Sequence, residues 1–538
     1  MMVGRREFLS SALAGGAAML LAPRGAQGAD ARVEVLIDEP IGVISPDIYG
    51  HFIEHLGGVI YDGVWVGEDS KIPNIGGVRA ALVEHMRRIK PSVLRWPGGC
   101  FADSYNWRDG IGPRASRPRR TNFWIRDRTK DMDSYQVYDP NHFGTNEFLR
   151  FCKLIGSQPY LAANVRSLTP KDFYEWVEYC NAPPGMTTFS KMREANGDRE
   201  PFGVKYWGVG NESWGCGGNL TAEEYAVEFR KFIAWVPQYG TRLAFIGSGP
   251  NGGDRKWTRG FFSKLVEKGP GMLRAMYGWA LHYYCGSTGK RNAAEFTADE
   301  WYGLLGRADQ MERLINEHWS VMGEIDTERR VKLVVDEWGA WHERDKDMPE
   351  TYLWAYPGTL RDALIAGLTL DTFNRHADKV VMANVAQLIN TIHSLFLARE
   401  DKFIVTPNFH VFEMYAAHQG AKAVRAVFSA PQVGYTHEGK SASLWGLAGS
   451  ASMRDKQVTL SVVNPHVSEP RAAEIIVRGA SIRSGSATVL SSTDIHARNT
   501  FDNPRALQPR QEEIKTGSRT QVYSFAPASV TLLRLDLV

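Results

Sequence analysis

The sequence predicts an α/β fold: a (β/α)8 TIM barrel followed by a C-terminal all-β sandwich of jelly-roll type. Three observations predict it. Between residues 46 and 407, eight short apolar runs alternate with longer stretches whose apolar residues recur at three and four. From about Asn408 the helical periodicity fades, and strand-like runs separated by turn residues fill the rest, residues 408–538. And 538 residues are too many for one small domain but suit a large barrel with an accessory domain.

The elements follow in order. Residues 1–28 begin with Arg5-Arg6, continue through a short apolar stretch from Phe8 to Ala22, and end in small residues. That is the pattern of a twin-arginine-type signal peptide, so the sequence predicts export to the periplasm or beyond. The stretch is too short for a permanent anchor, and no membrane segment is expected in the mature chain. Residues 29–45 contain "ARVEVLIDEP", which alternates like a half-exposed strand. It lacks a barrel partner and is assigned to the sandwich. The eight barrel strands are predicted at Ile48–His51, Val93–Arg95, Tyr160–Asn164, Tyr206–Gly210, Leu243–Ser248, Gly278–His282, Leu333–Asp336 and Lys379–Asn384. Amphipathic stretches such as "GVRAALVEHMRRIK" and "AEEYAVEFRKFIAWV" supply the helices between them. The sandwich takes runs such as "AVRAVFSA", "SASLWGLAG", "QVTLSVVN" and "AAEIIVRG".

Composition narrows the function. The net charge of +3 is small for this length and argues against a nucleic-acid-binding surface. The basic stretch Arg117–Lys130 is expected to be a solvated loop at the rim of a cleft. Tryptophan (16), tyrosine (20) and phenylalanine (24) are plentiful. Most such rings fill a core, but some can serve as flat platforms for sugars. The five cysteines (Cys100, Cys152, Cys180, Cys216, Cys285) are odd in number and lack a CxxC pair, so neither a disulfide framework nor a zinc site is expected. His51, Glu54 and His55 mimic an inverted zinc-protease motif, but that motif needs a helix, and a strand and turn are predicted here. No metal and no cofactor are expected.

Barrel active sites form where strands end. Polar residues follow the predicted strands at Glu54, Arg95, Cys100, Glu212, His282, Tyr284, Glu337 and Gln387. Glu212 stands in "VGNESWG" after the fourth strand and Glu337 in "VVDEWGAWH" after the seventh. Most glutamates at strand ends are ion-pair partners or helix caps. Two of them at matching ends, flanked by amides and aromatics, form the pair that glycoside hydrolysis needs: a proton donor and a nucleophile or base. Their separation decides the stereochemistry and is not legible in sequence. Asn211 is suited to bonding a sugar hydroxyl, and Arg95 to keeping Glu337 ionised. His282 is expected to bond Glu337 or the sugar.

The blocks "IYGHFIEHLGGVIYDGVW", "RWPGGCFADSYNWRDGIGP", "WGVGNESWG", "DEWGAW" and "FNRHADKVVMANVAQLIN" resemble those of family 51 glycoside hydrolases, the α-L-arabinofuranosidases. They run in order across most of the barrel. The resemblance implies release of terminal arabinofuranosyl units from oligo- or polysaccharides by double displacement with retained configuration, and no cofactor. It implies that Glu212 is the acid/base and Glu337 the nucleophile. Glu54, Asn211, Tyr284 and Gln387 would hold furanose hydroxyls, and Arg95 would contact the nucleophile. Cys100 would line the pocket floor and Trp341 an aromatic wall. A homo-oligomer, a hexamer, is the assembly it implies. The same carboxylates could instead serve a β-glucan, a β-xyloside or a galactofuranoside. A non-catalytic carbohydrate-binding protein is the reading from another class.

Overall fold

The computed structural model describes residues 29–124, 138–287, 291–514 and 520–538. The predicted signal, residues 1–28, and much of the basic stretch Arg117–Lys130 lie outside the described residues. Eight parallel strands close into a barrel in chain order: β1 Gly50–Phe52, β2 Val93–Trp96, β3 Gln158–Ala163, β4 Tyr206–Val209, β5 Ala244–Gly247, β6 Met276–Gly286, β7 Lys332–Ala340 and β8 Val380–Val385. Each overlaps its predicted position. The first begins later than expected because Pro46–Tyr49 forms a 3-10 turn, with the Ser45 side chain accepting from the Asp47 backbone N–H.

Strand alternation builds two layers. Val93, Tyr160, Tyr206, Ile246, Ala280, Val334 and Met382 fill the barrel interior. Their neighbours Leu94, Trp96, Leu161, Trp207, Val335 and Val385 face the surrounding helices. Arg95 shares the inward parity of Val93, and Asp336 that of Val334. The interior therefore holds a buried pair, Arg95 Nε lying 3.6 Å from Asp336 Oδ2, directly beneath the mouth. Capping boxes start several outer helices. Thr169 and Thr221 each bond the backbone three residues on, and Asp172 and Glu224 bond back.

The β-rich region is a nine-stranded sheet, and the N-terminal strand Ala31–Val43 is part of it. That strand runs antiparallel to Lys422–Ser429 and parallel to Arg471–Arg478. Residues far apart in the strand order, such as Val33 and Ile475 against Val489 and Leu533, share one core, so the sheet curls over itself. Alternate residues of the same strands, including Val463, Leu490, Val530 and Leu532, belong to the barrel's core. The helix Leu360–Arg375 lies between barrel and sheet, and every residue but Arg375 is buried. The predicted single strand "SASLWGLAG" is split into Lys440–Leu444 and Ala448–Arg454, the first pairing in a separate hairpin with Val433–His437.

Two expectations are corrected. Cys100 and Cys216, 116 residues apart in sequence, are joined as a disulfide, while Cys152, Cys180 and Cys285 are buried and free. Pairing across that distance follows from strand ends meeting at the barrel mouth and leaves no mark on local spacing. The basic stretch departs from expectation at its head: the Arg117 side chain is buried and donates to Glu147 and to the Gly112 and Asn141 carbonyls, while Arg119, Arg120 and Thr121 are exposed as expected.

Candidate active site

Of the ten residues singled out in the sequence, eight line one pocket at the C-terminal mouth: Glu54, Cys100, Asn211, Glu212, Tyr284, Glu337, Trp341 and Gln387. Arg95 and His282 sit behind it, bonded to its two glutamates. The pocket is small, with a cavity volume of about 50 Å³, below the range of about 300–1,000 Å³ usual for ligand sites. Sequence reasoning missed two of its walls, Trp124 and Trp354, which stack edge-on with Trp341 in a chain: Trp341 to Trp354 at 5.0 Å and Trp124 to Trp354 at 5.6 Å. Both stand well past the ends of the barrel strands that precede them, Val93–Trp96 and Lys332–Ala340, where no periodicity marks them. A larger hollow of about 790 Å³ opens at the opposite end of the barrel, around Lys205, Arg242, Arg274, Arg330 and Lys332. No carboxylate lines it, so size and chemistry point to different ends, and the carboxylate pair decides.

The Glu337 side is densely tied. Arg95 Nη1 donates to Glu337 Oε1 at 2.9 Å, and Tyr284 donates to Oε2 at 2.7 Å. Arg95 Nη2 donates to Asn211 Oδ1 at 2.5 Å, and its plane lies over Phe52. Asp336 beneath it accepts from Tyr160 and Asn384. Burial alone would raise the Glu337 carboxyl, but His282 and Arg95 outweigh it and hold the group below its usual value. Gly99 permits this crowding, since a Cβ there would come within 2.9 Å of Glu337 Oε1.

The Glu212 side is looser. The backbone enters through Gly210 at φ 81° and Glu212 itself at φ 40°, both left-handed. A non-glycine residue there is uncommon, and such positions cluster at functional sites. Asp103 holds the turn by accepting from the Asn211 and Val165 backbone. Glu212 Oε1 meets His282 Nδ1 at 3.1 Å, and Oε2 lies 3.9 and 3.7 Å from the Cys100 and Cys216 sulfurs. His282 Nδ1 is also 3.5 Å from Glu337 Oε2. Burial works against its charge, but Glu337 and Glu212 raise its pKa. One oxygen of each glutamate lies within 4.8 Å of the other, nearer the short separation of retaining glycosidases (about 5–5.5 Å) than the long one of inverting enzymes.

Glu54 forms the third acidic corner. It accepts from the Phe101 backbone at 2.9 Å, Trp124 at 3.0 Å and Gln387 at 3.0 Å. Burial, aided by the charge of Glu337, pushes it up to about 7 despite those donors. The zinc-like triplet does not converge. The His51 ring packs on Phe412, and His55 bonds Asp139 and Trp96.

Comparison with known proteins agrees with this geometry. A family model described as Alpha-L-arabinofuranosidase 1 domain matches residues 85–259, and one described as Alpha-L-arabinofuranosidase C-terminal domain matches residues 336–529. An intracellular exo-alpha-L-arabinofuranosidase of Bacteroides ovatus is 33% identical over 511 residues, covering 94% of this chain and 96% of its own. An intracellular exo-alpha-(1->5)-L-arabinofuranosidase of Bacillus subtilis is 26% identical, covering 94% and 99%. The crystal structure of a GH51 arabinofuranosidase from Xanthomonas axonopodis pv. citri superimposes with a TM-score of 0.86 at 34% identity, covering 94% of this chain and all of that one. These names overturn the expectation of export: both relatives are intracellular enzymes. With full-length similarity above 30% and a matching fold, the chain belongs to the family 51 glycoside hydrolases, the α-L-arabinofuranosidases.

Proposed function

We propose that this enzyme removes terminal, non-reducing α-L-arabinofuranosyl units one at a time from arabinose-containing oligo- or polysaccharides, with Glu337 as nucleophile and Glu212 as acid/base. The observation that carries this reading is the small pocket with two glutamates, one bound by cationic and phenolic donors and one bare enough to exchange a proton. A pocket this small suits a single chain-end sugar better than the middle of a polymer.

In the first displacement Glu337 attacks the anomeric carbon and Glu212 gives its proton to the leaving oxygen. The C–O bond to the leaving group breaks as the bond to Glu337 forms. Negative charge therefore passes from Glu337 to Glu212. His282 Nδ1 stands between the two carboxylates, and an N–H there serves whichever is ionised. In the second displacement Glu212 takes a proton from water, the oxygen attacks the same carbon, and Glu337 leaves. Two inversions give net retention. Glu54, Asn211, Tyr284 and Gln387 hold the furanose hydroxyls, while Cys100, Trp124, Trp341 and Trp354 exclude water around the ring. The homo-oligomer expected from the family is part of this reading, and sedimentation would test it.

The test is product analysis on linear and branched arabino-oligosaccharides. Free arabinose from the first time point, initially as the α-anomer by NMR, is expected. Larger fragments first, or β-arabinose first, would overturn the proposal. Faster turnover of aryl β-xylosides, β-glucosides or galactofuranosides would do the same.

A further inference from the structure

We propose that, once the Cys100–Cys216 disulfide is reduced, the two cysteines and Glu212 form a binding site for a thiophilic divalent cation, zinc foremost, and that the bound cation silences the enzyme. Binding rests on geometry alone; silencing also rests on Glu212 being the proton donor.

The ligand atoms already converge. The sulfurs of Cys100 and Cys216 and an oxygen of Glu212 all lie within 4.8 Å of one another. Each sulfur is 3.9 or 3.7 Å from Glu212 Oε2. In a tetrahedral zinc site, with Zn–S of about 2.3 Å and Zn–O of about 2.0 Å, the sulfur-to-oxygen edge is about 3.5 Å and the sulfur-to-sulfur edge about 3.8 Å. Two edges of that triangle are thus nearly in place. The third needs only side-chain rotation after the S–S bond opens, because the Cα atoms are 5.6 Å apart. Two thiolates and a carboxylate suit zinc and disfavour magnesium or calcium. Neither cysteine is fully buried, so reductant and cation can reach them.

The chemistry balances. A dithiol reductant supplies two electrons and two protons, becomes a disulfide itself, and leaves Cys100 and Cys216 as thiols. Zinc then displaces both thiol protons to solution and takes Glu212 as carboxylate. A carboxylate committed to zinc carries no proton for the leaving oxygen, so the first displacement stops. In the disulfide both sulfurs are occupied and the site does not exist. The other three cysteines are free and buried, away from solvent and cation.

The experiment uses the full chain, reduced with a phosphine that does not itself bind metal, and titrates cobalt(II) as the spectroscopic probe. The expected result is one equivalent bound by reduced protein, with a sulfur-to-cobalt charge-transfer band that zinc bleaches. The oxidised protein and Cys100→Ser/Cys216→Ser should give no band. Glu212→Gln, which keeps both thiols, should bind at least about tenfold more weakly and guards against a misfolded double variant. Zinc should lower the activity of reduced enzyme more than about tenfold and spare the oxidised form. No band in reduced protein, or a band that survives the double substitution, overturns the site. Binding without inhibition overturns the silencing and points at the acid/base assignment instead.

Discussion

Two glutamates stand less than 5 Å apart at one barrel mouth, yet their surroundings differ in kind. Glu337 is buried and receives charge-assisted bonds from Arg95 and a phenolic bond from Tyr284, and Arg95 is itself anchored on Asp336. Glu212 is half-buried, lies on a left-handed residue, and has one imidazole and two sulfurs for company. A nucleophile must stay ionised and still; an acid/base must exchange a proton with solvent and substrate. The two environments match these needs, and that contrast, more than either residue's type, supports the division of labour.

The contrast can be broken at its strongest point first. Glu337→Ala should lower kcat about 10⁴-fold or more, and added azide should restore turnover with an inverted arabinosyl azide. Glu212→Ala should lose about 10² to 10⁴-fold on oligosaccharides but far less on aryl substrates with good leaving groups, and azide should here yield the retained azide. If the two azide products exchanged stereochemistry, the roles would be reversed. Arg95→Lys keeps a charge but loses the fork that reaches Glu337 and Asn211 together; kcat/KM should fall roughly 10 to 100-fold. With less cationic support the Glu337 carboxyl rises, so the acid limb of the pH–rate profile should move to higher pH; an unmoved limb would deny Arg95 its electrostatic part.

The smallest effect lies away from the site. Asp371, on the helix between barrel and sheet, is pushed up to about 6 by burial despite bonds from Ser461 and Ser450. Unfolded, it would titrate near 3.8. Between those values the folded chain holds the proton more tightly, so stability falls as pH rises from about 4 to 6, by about 3 kcal/mol at most, and the loss persists above. Asp371→Asn should flatten that slope in denaturant titrations and leave kcat unchanged. A slope that persists would assign it to other groups.

The barrel was legible because it rests on local signals. Eight apolar runs and the amphipathic stretches between them mark strands and helices, and strand ends mark the mouth. Ten residues at or near those ends therefore come together. What stayed hidden depends on contacts between distant segments. The Cys100–Cys216 bond, the tryptophans 124 and 354, and the burial of Arg117 under Glu147 follow from how loops pack, for which no spacing speaks. The N-terminal strand was legible by elimination, since an alternating strand without a barrel partner must pair elsewhere.

The helix Leu360–Arg375 has a practical consequence. A helix buried on every side has no face to offer water, and its Arg361, Asp362, Asp371 and Asn374 must find their partners inside the protein. Its inner residues complete the barrel and its outer ones meet Val463 and Val530 of the sheet. A chain cut after the eighth strand would carry this helix with half its partners gone. The two halves are thus separable on paper but not in a test tube, and shuffling catalytic barrels among relatives will work only when each travels with its own sheet.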